Sequence, residues 1–153
     1  MILKILNKNE KKEFFKSLKE KFGFNEKLSF CFIESGKKKI RIINSEFDKI
    51  NLKGLKIENL GLYFAKWDKG KIRLSIEGSQ IIGPNSKKNV LEINKKQAEE
   101  WMSGNKLIIN ENLKENEFYI LKYKKDFLGS GRFSNNLLIN FIPKYRRILS
   151  HKL

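Results

Sequence analysis

Cysteine occurs once in this chain, as Cys31, and histidine once, as His151. A single thiol closes no internal disulfide, and one Cys with one His falls short of the four ligands of a structural zinc site. Proline is nearly as scarce, at two residues, and the sequence has neither a low-complexity linker nor an internal repeat. No purely apolar run exceeds four residues, as in Phe30-Cys31-Phe32-Ile33. That is far below the ~20 residues that span a bilayer. The stretch MILKILNKNEKK reaches its charges too early for a secretory segment. These absences lead to the expectation of a cytoplasmic protein that holds no metal or cofactor and enters no membrane.

Negative charge is the other shortage. Asp and Glu total 17 against 33 Lys and Arg, a formal net charge of +16. A compact chain with that excess repels itself unless a polyanion or counterions offset it, and nucleic acid is the partner that fits best. Large apolar side chains are plentiful. Twelve Phe, four Tyr and two Trp among 153 residues are far more than a disordered chain carries.

Periodicity and turn chemistry divide the chain into short elements. Asn7 and Glu10 form a capping-box pair ahead of Phe14, Phe15, Leu18 and Phe22, one apolar stripe of a helix that Gly23 stops. Ser29 to Glu34 and Lys39 to Ile43 read as a hairpin across Gly36, and Ser45 begins a short helical turn through Phe47 and Ile50. Leu60 to Trp67 and Ile72 to Leu74 flank the turn Asp68-Lys69-Gly70-Lys71. A brief helix from Ser75 to Ile82 ends at Gly83-Pro84. Val90 to Ile93 is a strand, and Asn94 with Gln97 caps a helix bearing Ala98, Trp101 and Met102 that ends at Gly104. Glu117 to Tyr123, Phe127 to Phe133 and Leu137 to Ile142 are strands joined by tight turns, a pattern that favours a small closed barrel.

Catalytic chemistry has little to build on. Cys31 lies between two Phe, where a thiol is an inert hydrophobe, and His151 is three residues from the end of the sequence. Gly129-Ser130-Gly131 lies between strand residues with no helix behind it, so it reads as a bulge or a place of close backbone approach, not a nucleotide cradle. From Phe118 onward, eight Lys or Arg face only Asp126. Within that stretch Arg132 follows the double glycine, and Lys144-Tyr145-Arg146-Arg147 sets three cations around one ring. Guanidinium groups suit phosphate and a Tyr face suits a base.

Four segments in order carry a resemblance. They are GLYFAKWDKGKIRLSIEGSQIIG (61–83), AEEWMSGNKL (98–107), FLGSGRFSNN (127–136) and Asn140-Phe141-Ile142-Pro143-Lys144-Tyr145-Arg146-Arg147. Together they resemble a PUA domain, the module named for pseudouridine synthases and archaeosine transglycosylases. The resemblance is closest to the RNA-binding C-terminal tail of Fmu/sun-type rRNA cytosine-5 methyltransferases, as in stand-alone archaeal ribosome-biogenesis proteins. It covers residues 61–149 well and 1–60 loosely. The methyltransferase core has no counterpart: there is no cofactor-binding glycine loop, and no Pro adjoins Cys31.

The resemblance implies RNA recognition without the chemistry. The expectation is an α+β protein in which an N-terminal α+β domain (1–65) packs on a C-terminal PUA-like small β-barrel (66–153). It would bind structured RNA, rRNA ahead of tRNA, without catalysis, in ribosome biogenesis or RNA modification. The expected RNA contacts are Gly104, Lys106, Lys122, Lys124, Gly129, Gly131, Arg132, Lys144, Tyr145, Arg146 and Arg147. The alternative is a protein-interaction adaptor that recruits a separate RNA-modifying enzyme or a ribosomal protein.

Overall fold

Asn7 opens the first helix as its spacing predicts. In the computed structural model, which describes residues 3–46 and 60–148, its side chain accepts from the Glu10 amide while Glu10 accepts from the Asn7 amide. Lys4 donates to the same Glu10 carboxylate at 2.6 Å, which holds that carboxyl below its ordinary range and raises the lysine. Helix α1 (Lys8–Phe22) buries Phe14, Leu18 and Phe22 and closes at Gly23 in the left-handed conformation. The helical turn expected through Ile50 runs outside the described residues, as does His151.

α1 packs on a five-stranded antiparallel sheet in the order β1 (Lys4–Ile5), β2 (Phe30–Ser35), β3 (Lys39–Asn44), β4 (Leu62–Asp68) and β5 (Lys71–Leu74). Phe32, Ile40, Ile42, Phe64, Ile72 and Leu74 meet the helix in one buried cluster. Phe14 sits at its centre, with ring contacts to Phe15, Phe32, Phe64 and Trp67. A bulge interrupts the β3–β4 ladder: Ile40 pairs with Ala65, but Arg41 pairs with Tyr63. Phe64 and Ala65 therefore both turn into the core, and the alternation resumes shifted by one on either side.

Helix α2 (Ile76–Ile82), capped by Ser75, leads into the second half. There β6 (Val90–Glu92), α3 (Lys95–Met102), β7 (Leu107–Ile108), β8 (Phe118–Tyr123), β9 (Asp126–Ser134) and β10 (Leu137–Ile139) follow in chain order. The sheet order is β6-β8-β9-β10-β7, with β6 parallel to β8 and the other pairs antiparallel. This corrects the expectation of a closed barrel. Among the described residues β6 and β7 are open edges, and the apolar face is covered by α3. Its Trp101 is fully buried among Leu107, Tyr119, Leu121, Phe133 and Leu138. A helix laid across one face buries those side chains without the strand-to-strand closure that short turns alone suggest.

The two sheets share their cores. Ile120 and Phe127 of the second sheet join the cluster under α1, while Ile76 of α2 joins the cluster around Trp101. Polar contacts cross the same seam. The Gly129 amide donates to Ser79 Oγ at 2.8 Å, Ser130 Oγ donates to the Leu74 carbonyl at 3.0 Å, and Asn89 Nδ2 donates to the Lys21 carbonyl at 2.6 Å. The expected division at residues 65 and 66 falls within β4, and residues up to Leu74 complete the first sheet.

Candidate nucleic-acid interface

Antiparallel register puts cations in rows on the face of the first sheet that α1 leaves uncovered. Lys39, Lys66 and Arg73 are cross-strand neighbours on β3, β4 and β5, and Arg41 is paired with Tyr63. Paired residues project from the same face, so these five side chains stand together. Like charges opposite one another repel, and a chain of phosphates would relieve that repulsion. Lys39 Nζ lies 5.5 Å from the centroid of the Tyr63 ring.

Where this face meets the second sheet there is a cleft of about 410 Å³. Arg41, Tyr63 and Arg73 line it from the first sheet, Glu77 from α2, Gly129 and Ser130 from β9, and Phe141, Tyr145 and Arg146 from the segment after β10. The Arg73 guanidinium lies 4.4 Å from the Phe141 ring centroid, a stacking that fixes the plane of its N–H fork. Arg41 Nε is buried with no hydrogen-bond partner among the described residues. Such a donor costs about 1–3 kcal/mol until an acceptor meets it. Arg146 is ion-paired with Glu77, the only acidic residue of the lining among the described residues. Tyr145 is 85% exposed at the mouth. Three guanidinium groups, three aromatic rings and one already paired carboxylate make a wall suited to a phosphate-bearing, ring-containing ligand.

Of the eleven residues expected to contact RNA, Gly129, Tyr145 and Arg146 line this cleft. Gly131 is corrected: it is buried, and a Cβ there would sit 2.6 Å from the Trp101 ring and 2.8 Å from the Ile139 carbonyl. The close approach that its lack of a side chain permits is made by the protein's own core. Arg132 turns its guanidinium toward Asn116 Oδ1, at 3.3 Å. Lys122 and Lys124 lie over the rings of Phe127 and Tyr123, while Lys106 and Lys144 are exposed.

Gly104 and Arg147 belong together. Gly104 has φ of +95°, and the Arg147 side chain lies where its Cβ would be, with Cδ and Nε at 2.5 Å. Arg147 Nε donates to the Ile142 carbonyl at 3.1 Å, the Ile148 amide donates to the Met102 carbonyl at 2.8 Å, and Asn140 Nδ2 donates to the carbonyls of Trp101 and Asn105. Asn140 and Arg147, read from the sequence as ends of an RNA-binding element, clasp the chain's last described segment to the end of α3. Gly104→Ala therefore carries a conformational penalty of about 1–3 kcal/mol. Urea denaturation should show the lower midpoint, while the RNA affinity of the still-folded variant stays within about threefold of wild type. A tenfold affinity loss without loss of stability would return Gly104 to the binding surface.

Sequence reasoning missed Arg41, Tyr63 and Arg73. Their alternation with Ile40, Ile42, Phe64 and Ile72 was a usable signal for an outward polar face. Nothing local showed that this face adjoins Tyr145 and Arg146.

With this geometry in place, comparison with known families identifies the second half. The family model described as the methyltransferase RsmF PUA domain matches residues 88–148. Residues 88–148 form a PUA domain. The match takes in β6 to β10 and the clasp, about two-fifths of the chain, and begins beyond the hairpin and helix of residues 61–83 that also carried the resemblance. No curated protein matches the chain. A PUA domain supports RNA as the partner of this half, in a protein related to RNA modification.

Proposed function

We propose that the protein binds structured RNA, rRNA ahead of tRNA, through the cleft between its two sheets, without catalysing a reaction on it. The observation that carries this is the convergence of Arg41, Arg73 and Arg146 with Tyr63, Phe141 and Tyr145 on one surface, beside a PUA domain. The lysine row Lys39 and Lys66 extends the positive track away from the cleft, and phosphates along such a track would position the RNA while the cleft reads part of it. The non-catalytic part rests on what lines the site. Arginines and aromatic rings bind and orient, whereas a general base or nucleophile needs a titratable group that is free to act. Glu77, the one acid of the lining among the described residues, is held by Arg146, and the lining hydroxyls of Ser75 and Ser130 donate to the backbone carbonyls of Tyr63 and Leu74.

Titration of the full chain with a fluorescent rRNA stem–loop at several salt concentrations tests the reading. Binding should weaken with salt at a slope of about −2 or steeper, from three or more phosphate contacts at roughly −0.7 each. Calorimetry with S-adenosylmethionine should show no heat of binding. A flat salt dependence would remove the RNA proposal, and stoichiometric cofactor binding would remove the non-catalytic one.

A further inference from the structure

We infer that the cleft receives one unpaired nucleotide of the bound RNA, its base against Tyr145 at the mouth and its phosphate on Arg41 and Arg73. The inference rests on the RNA-binding reading and goes beyond it by naming the part of the RNA that enters. Size argues first. At about 410 Å³ the cleft lies near the lower end of the roughly 300–1,000 Å³ of small-ligand pockets. That scale suits a single nucleotide better than stacked base pairs.

The distribution of groups argues next. The lining arginines without an ion pair among the described residues, Arg41 and Arg73, both come from the first sheet, on β3 and β5. Arg73 is held flat by Phe141, so its N–H fork meets a phosphate without first losing freedom. The buried Arg41 Nε is a donor with no acceptor among the described residues, and it lies in the lining of a cleft open to a ligand. Arg146 is neutralised by Glu77 and acts as a fixed wall. The aromatic surface is divided as well. Phe141 is taken up by Arg73 and by Phe118, 6.0 Å away. Tyr63 has Lys39 over it, and Tyr145, 85% exposed, has most of its ring open at the mouth. An unpaired base offers two stacking faces, whereas a base inside a duplex has both faces occupied by its neighbours.

Two hairpins that differ only in one bulged 2-aminopurine test this with the full-length protein. The bulged RNA should bind about tenfold more tightly than the fully paired one, the scale of one base–aromatic stack, and its fluorescence should change on binding. Tyr145→Ala should abolish the difference between the two RNAs while leaving the affinity for the paired hairpin within about twofold. Equal binding of both hairpins, with no fluorescence change and no effect of Tyr145→Ala, would overturn the inference and leave RNA binding standing. Failure of either hairpin to bind at any salt would overturn the RNA reading and this inference with it.

Discussion

Trp101→Ala is expected to cost about 3–5 kcal/mol, the range for deleting a large buried aromatic side chain. Trp101 is fully buried, its Nε1–H donates to the Leu128 carbonyl at 2.7 Å, and its ring occupies the space that Gly131 leaves open. Gly131 has no side chain to move into that space, and α3 is tied at its end by Asn140 and Arg147. Native domains have about 5–15 kcal/mol in all, so this one change removes a large share. The variant also reports on the seam. It leaves Trp67, packed on Phe14 under the first sheet, as the only tryptophan. Because Ile120 and Phe127 of the second sheet lie in the cluster under α1, the Trp67 fluorescence transition in urea should move to lower denaturant together with the circular-dichroism transition. A Trp67 transition that stays at its wild-type midpoint would mean that the two halves unfold separately.

The second large effect is on binding. Arg41→Gln with Arg73→Gln should weaken RNA affinity by at least about 100-fold at physiological salt, from the low end of the 1.5–3 kcal/mol typical of each charge-assisted hydrogen bond. The salt slope should flatten by about 1.4 units, two phosphate contacts at roughly 0.7 each. Stability should not fall appreciably. Arg41 Nε has no partner among the described residues, and Arg73 contributes a stacking contact, not an ion pair. Binding titrations beside thermal melts separate the two quantities. Unchanged affinity in a folded double variant would place the RNA elsewhere, with the basic residues around Arg132 and Lys144 the next to examine.

The elements legible from sequence are those held by contacts within a few residues. Asn7 with Glu10 and Asn94 with Gln97 each close a capping box over three residues, and the turn at Lys69-Gly70 joins β4 to β5 where expected. The PUA resemblance was legible for a related reason, as an ordered series of short motifs. β1 and β7 escaped notice because each has only two residues, too few for any period to show. The bulge at Phe64 and Ala65 escaped for a different reason: it exists only in the pairing of β4 with β3.

Which residues matter was less legible than which elements form. Composition alone determined that the chain folds, carries a large positive charge and has few groups for chemistry. It did not determine where the charge gathers. Arg41 and Arg146 are about a hundred positions apart in sequence, and they line one cleft because the first sheet's register turns Arg41 outward and the seam at α2 brings the segment after β10 against it. Gly131 and Arg147 read from the sequence as RNA contacts, yet Gly131 packs against Trp101 and the Arg147 side chain lies over Gly104. A glycine or an arginine in a motif marks a crowded place, and only the folded chain decides whether the neighbour is a ligand or the protein itself.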